Sequence, residues 1–188
     1  MASLPRQFVN PEEYLAAERG ADMRSEYVDG VVYAMAGASE RHNAIVANLI
    51  IAIGVRLRGG PCRVYPSDLK VGLQNRTRFF YPDVSIVCGG PLYIDDQKDV
   101  ILNPVVIAEV LSEATDGFDR GRKFLSYQQI TSLQEYVLVE QDEVRVETFK
   151  RGLDGNWVYS KVSDIGKSMT LKSINCEIPL SEIFERVF

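Results

Sequence analysis

The run Pro104-Val105-Val106-Ile107-Ala108-Glu109-Val110-Leu111 sets one carboxylate inside an otherwise apolar stretch. A short continuous apolar run reads as a central strand covered on both faces. A carboxylate in such a strand is costly unless it is paired, protonated or metal-bound. Any fold available to this chain must therefore bring a partner to Glu109, or leave it at a strand end in solvent. A second carboxylate, Asp83, follows Tyr81-Pro82 and precedes the apolar Val84-Ser85-Ile86-Val87. Proline inside a strand marks an edge, a start or a bulge, so the chain is locally special there.

If the two strands adjoin, Asp83 and Glu109 converge. Two carboxylates in contact repel, and a divalent cation relieves the repulsion. Hard oxygen ligands suit Mg2+ or Mn2+. Such an ion acidifies water and neutralises charge on a phosphodiester. A cation to steady the developing charge is the third part of such a site. Lys123 is the first candidate: it stands four residues after Asp119 in Asp119-Arg120-Gly121-Arg122-Lys123, on the same helix face. The plain alternative is a surface i,i+4 ion pair. Lys70, on a preceding strand, is the second candidate.

The rest of the chain frames these residues. Asn10-Pro11 caps and opens a helix through Glu18. Glu26 to Met35 reads as a hairpin turning at Asp29-Gly30. Ser39 caps a helix from Glu40 to about Leu57, with Ile45, Leu49, Ala52 and Ile53 near helical spacing. Strands are expected at Cys62 to Tyr65, Asp68 to Leu73, Arg78 to Val87 (through Pro82), Pro104 to Leu111 and Glu135 to Glu140. A helix is expected from Phe118 to Ile130, a hairpin from Glu143 to Lys150 and Trp157 to Val162, and a terminal helical turn from Leu180 to Val187. Helices around a strand-rich middle give an α/β fold with a mixed central sheet. The 188 residues suit one domain, with a core at about 10–150 and a C-terminal β extension at about 151–188.

Composition narrows the chemistry. His42 is the only histidine, so a zinc site with two or three histidines is impossible. No GxSxG elbow accompanies it. Cys62, Cys88 and Cys176 form no CxxC pair, and reduced thiols are the expected state in a cytosol. No apolar stretch is long enough to span a bilayer and no signal peptide is evident, so the expected location is cytoplasmic. The formal net charge is −5, yet seven basic residues between Arg41 and Arg78 face only Asp68. The stretch from Tyr93 to Asp116 is acidic. A basic face and an acidic face are the expectation, with Arg41, Arg56, Arg58 and Lys70 as candidate phosphate contacts.

Glu26-Tyr27-Val28-Asp29-Gly30, Arg41-His42-Asn43, Tyr81-Pro82-Asp83-Val84, Ile107-Ala108-Glu109-Val110-Leu111-Ser112, Asp119 to Lys123 with Tyr127, and Glu135 to Val139 occur in that order. In this order and spacing the chain resembles the Uma-type restriction endonuclease family of the PD-(D/E)xK nuclease superfamily. The resemblance implies a restriction-endonuclease-like core. It implies Asp83 as the superfamily aspartate, Glu109 as its second acid and the Val110 carbonyl as a further metal ligand. Leu111 stands where the superfamily has lysine, so Lys123 is expected as the relocated lysine. Glu26 and His42 match further polar positions. The expectation is a Mg2+- or Mn2+-dependent endonuclease acting on nucleic acid, DNA first, and working as a homodimer. The rival expectations are a catalytically inactive nucleic-acid-binding or assembly module, which Leu111 favours, and a hydrolase of small phosphoesters, which the acidic balance favours.

Overall fold

The fold is taken from a computed structural model that describes residues 8–35, 37–113 and 115–188. The chain opens with α1 (Pro11–Arg19), whose Asn10 cap accepts the Glu13 N–H at 2.8 Å while the Glu13 carboxylate accepts the Asn10 N–H. β1 (Ser25–Val28) and β2 (Val31–Ala34) follow, joined at Asp29 and Gly30, both at positive φ as a tight hairpin turn requires. α2 (Glu40–Arg56) starts at Ser39, whose Oγ accepts the His42 N–H. Then come β3 (Cys62–Pro66), β4 (Lys70–Gly72), β5 (Arg78–Phe80), β6 (Val84–Cys88), β7 (Val100–Ile101) and β8 (Val106–Leu111). A helical stretch combines α3 (Asp116–Phe118), a π-helical turn (Asp119–Lys123) and α4 (Phe124–Tyr127). β9 (Glu135–Glu140), β10 (Val146–Arg151), β11 (Trp157–Val162), β12 (Ser168–Leu171), β13 (Cys176–Pro179) and α5 (Leu180–Ile183) complete the described chain.

A six-stranded mixed sheet runs in the order β11-β10-β9-β8-β6-β3, with β8 and β9 parallel and the other neighbours antiparallel. A five-stranded sheet runs β2-β1-β5-β4-β7, and β12 pairs with β13. Ile45, Leu49 and Ile53 of α2 pack on one face of the six-stranded sheet, against Ala108, Val110, Val137 and Val139. Alternation puts Ile107, Glu109 and Leu111 on the other face. There Ile107, Leu111, Tyr136 and Leu138 meet Phe80 and Val71 of the five-stranded sheet and Tyr127 of α4. Glu109 thus points between the two sheets. A second buried carboxylate, Glu135 at the start of β9, accepts the N–H groups of Lys172 and Ser173 and the Ser173 hydroxyl, tying the C-terminal strands to the sheet.

Three expectations change. The strand expected from Arg78 to Val87 is two strands in different sheets, β5 and β6, separated by Tyr81-Pro82-Asp83. Pro82 has no N–H to give a ladder, and the donors on either side of it go to side chains: the Tyr81 N–H to Glu26 Oε1 at 3.2 Å and the Asp83 N–H to Glu109 Oε2 at 3.4 Å. The helix expected from Phe118 is broken into short turns with a π-helical centre. Cys62 and Cys88 are directly opposite in the β3–β6 ladder and form a disulfide, where reduced thiols were expected; Cys176 is free and buried. The register that faces the two cysteines arises only on folding and leaves no trace in their spacing. Among the described residues, no helix is long and apolar enough to cross a membrane.

Candidate active site

The site forms where the chain passes between sheets. Val84 is paired with Ala108, so Asp83 comes beside Glu109 at the β6–β8 seam. Asp83 Oδ2 accepts the Val110 N–H at 2.7 Å, and Asp83 Oδ1 lies 3.0 Å from His42 Nε2. His42 reaches it from the first turn of α2. Lys123 Nζ donates to Glu109 Oε1 at 3.2 Å, and the Tyr127 hydroxyl donates to the same oxygen at 3.1 Å. The ammonium also sits 3.0 Å from Glu26 Oε1 and 3.2 Å from Asp119 Oδ1. The Asp119 contact has ion-pair distance without hydrogen-bond geometry, so this buried oxygen has no hydrogen-bond partner among the described residues.

Four carboxylates, Glu26, Asp83, Glu109 and Asp119, therefore surround one ammonium and one imidazole. Burial pushes the Glu109 carboxyl well above the usual range; Lys123 opposes the rise, and Asp119, Asp83 and Glu26 add to it. Burial likewise raises Glu26. Burial alone would neutralise Lys123, but Glu109, Glu26 and Asp119 hold it protonated, well above the ordinary lysine value. Burial works against charge on His42 too, and the hydrogen bond and charge of Asp83 outweigh it, raising its pKa. The side chains of Glu109, Asp119, Lys123 and Glu26 are 3–8% exposed, against 14% for His42 and 17% for Asp83. The recess opens to solvent at the Asp83–His42 rim.

Whether a divalent cation fits can be judged from the donors. No group of three His, Cys, Asp or Glu side chains among the described residues forms a ready-made cage. Magnesium does not ask for one: it keeps several waters and is held by one or two carboxylates plus substrate phosphate. Asp83 and Glu109 supply hard oxygens side by side at the seam, with Asp83 at the solvent-facing rim. These residues fit such an ion.

Sequence reasoning named Asp83, Glu109, Lys123, Glu26, His42 and Val110, and the fold gathers all six. It missed Asp119 and Tyr127 as members of the site. The signal was present: Asp119, Lys123 and Tyr127 recur every four residues, on one helix face. The expected phosphate contacts are not gathered. Lys70 is 3% exposed, donates to the Tyr81 hydroxyl and pairs with Asp99, so it is structural and not a surface contact. Arg56 is held by both oxygens of Glu182, and Arg41 pairs with Asp142. Arg58 is exposed beyond the end of α2. The basic and acidic stretches meet at one point, where Lys70 pairs with Asp99.

A mixed sheet with an acidic pair across an inner seam, flanked by helices, is the architecture of restriction-endonuclease-like domains. The chain belongs to the Uma2 family: its family model, described as "Putative restriction endonuclease", matches residues 11–181. Two proteins of Synechocystis are similar over most of their length. One, "Uncharacterized protein slr1290", is 34% identical over 97% of this chain and 94% of its own. The other, "Uncharacterized protein sll1609", is 34% identical over 80% of this chain and 85% of its own. A crystal structure from Anabaena variabilis, titled as a "putative nuclease belonging to DUF820", superposes with a TM-score of 0.79 at 15% identity, covering 96% of this chain and 99% of that one. That likeness establishes the shared fold.

Proposed function

We propose that the chain is a metal-dependent endonuclease that hydrolyses phosphodiester bonds of nucleic acid, with Asp83 and Glu109 as the ligands of Mg2+ or Mn2+. The observation that carries this reading is the meeting of Asp83 and Glu109 at the β6–β8 seam with Lys123 Nζ 3.2 Å from Glu109. The Val110 carbonyl is the third ligand of the reading, since the N–H of that residue already faces Asp83 and a strand residue turns both backbone groups to one edge. A divalent cation held there would supply an acidified water and neutralise charge on the phosphate.

The chain's own groups have separable tasks. His42 fixes the rotamer of Asp83 through Oδ1. Tyr127 and Lys123 fix Glu109 through Oε1, and Lys123 opposes the rise that burial imposes on its carboxyl, leaving Oε2 toward Asp83. Lys123 thereby takes the place of the lysine missing at Leu111: it enters from the following helix rather than from the strand. Glu26 and Asp119 hold Lys123 in turn and are positioning residues. DNA is the first substrate and the cytoplasm the expected location. A homodimer follows if two strands of a duplex are cut, one per site. The whole chain works as one domain on this reading.

The test is cleavage of linear and supercoiled DNA by the full chain in Mg2+ and in Mn2+, beside Asp83→Asn, Glu109→Gln and Lys123→Ala. Cleavage abolished in the first two variants and reduced in the third is the expected result. Hydrolysis of a small phosphodiester alone would replace the nuclease with a phosphoesterase. Salt-sensitive binding without cleavage in either metal would leave a nucleic-acid-binding module.

A further inference from the structure

The site continues outward into aromatic rings that its chemistry does not use. Tyr33 on β2 is the direct cross-strand partner of Glu26 on β1, so the two side chains stand on the same sheet face. Phe118 lies one residue before the π-helical turn, and Lys123 Nζ is 6.0 Å from the centre of its ring. The two rings are neighbours, centroids 6.1 Å apart. Behind them Phe80 meets Phe118 edge-on at 6.3 Å and Tyr127 edge-on at 5.3 Å. A continuous aromatic row thus leads from Tyr127, which holds Glu109, to the surface. Its inner members Phe80 and Tyr127 are fully buried, while Phe118 and Tyr33 are half-buried and present ring surface beside the recess.

The depth of the recess points the same way. A duplex is held mainly by cations that displace its counterions. Here Arg24, Arg41 and Arg78 are matched by Asp68, Asp142 and Asp29, and the chain is acidic overall. Glu109 is only 3% exposed, so a phosphate reaching it must leave the surface of a rigid double helix. A flexible strand can bring a phosphate into the recess while its bases stack on protein rings, and such stacking accepts any base.

We propose that Tyr33 and Phe118 form a stacking shelf for an unpaired nucleobase next to the phosphate at the Asp83–Glu109 site, making unpaired nucleic acid the preferred substrate. This rests on the nuclease reading and sharpens it to a substrate class. It also removes the need for a two-fold dimer, since one strand needs one site.

The test measures binding in EDTA, where no cleavage occurs. Short oligonucleotides carrying 2-aminopurine are titrated with the full chain as single-stranded DNA, single-stranded RNA and blunt duplex. The expected result is fluorescence change and binding at least about tenfold tighter for a single strand than for the duplex, with the two sugars compared directly. Tyr33→Leu and Phe118→Leu keep an apolar side chain and are expected to weaken single-strand binding roughly tenfold, with duplex binding unchanged and thermal melting still cooperative. A single abasic position walked along the strand gives the same answer on the wild-type chain, with loss at one position only. Equal or tighter duplex binding, no effect of either leucine variant, or indifference to the abasic position would overturn the shelf. Duplex cleavage that needs Glu109 would then leave the nuclease standing. Intact stacking without carboxylate-dependent cleavage of any strand would remove the nuclease and leave a single-strand binding site.

Discussion

Replacing Lys123 by methionine isolates the electrostatics of the site. Its ammonium lies 3.0 to 3.2 Å from oxygens of Glu26, Glu109 and Asp119, all buried. Methionine keeps the volume and deletes the charge. Breaking a buried pair while leaving its partner in place costs about 3–5 kcal/mol. The relief open to the variant is to protonate a carboxyl whose ordinary pKa is about 4.3, at roughly 1.36 kcal/mol per pH unit above that value. For one carboxyl that ceiling is about 5 kcal/mol at pH 8 and about 1.6 kcal/mol at pH 5.5. The sign follows from proton binding. The folded variant holds a proton that the unfolded chain releases, so stability falls as pH rises. Urea titrations of Lys123→Met and wild type at the two pH values measure this directly. With a slope of about 2 kcal/mol per molar, the midpoint is expected to drop by roughly 2 M at pH 8 and by less than about 1 M at pH 5.5. A loss below about 1 kcal/mol, or the same loss at both pH values, would refute the buried-charge account.

Three further outcomes follow from other contacts. Burial disfavours the charged form of Asp99, yet the hydrogen bonds and charges of Arg19 and Lys70 win and hold it at about 2. That stability is present above pH 4 and is lost as pH falls toward 2; with Asp99 a quarter exposed it amounts to about 1–2 kcal/mol, and acid titration of Asp99→Asn should lack that part of the transition. Reducing the Cys62–Cys88 disulfide, which closes a loop of 26 residues, is expected to cost about 3 kcal/mol in denaturant titrations with and without reductant; no change would mean the bridge does not constrain the unfolded chain. Tyr127→Phe removes only the hydroxyl that donates to Glu109 and should cost about 1.5 kcal/mol or more by chemical denaturation; a neutral effect would mean that Glu109 is held by Lys123 alone.

The acidic pair was legible in the sequence because each member breaks a local rule: a charge in an apolar run at Glu109, a proline in a strand at Pro82. Asp119 and Lys123 were legible as one helix face, although the segment that carries them is a π-helical turn. The hairpin at Asp29-Gly30 and the caps at Asn10 and Ser39 are short-range signals and appear where expected. What was not legible depends on long-range pairing. The split of the Arg78 to Val87 stretch between two sheets needs Glu26 and Glu109 to capture the N–H groups around Pro82, and both come from elsewhere in the chain. Lys70 reads as a surface cation until Asp99 and Tyr81 close over it. The Cys62–Cys88 bridge depends on the β3–β6 register. The two-residue strand at Val100–Ile101 and the β12–β13 pair are too short to carry a period of their own.

Calorimetric titration of the full chain with Mn2+, beside Asp83→Asn and Glu109→Gln, reads metal capture apart from any substrate. Saturable binding near one ion per chain, lost in both variants while their thermal melting stays cooperative, is the expected result. Binding unchanged in the two variants, or no binding to the wild type, would contradict a metal-dependent site at Asp83 and Glu109.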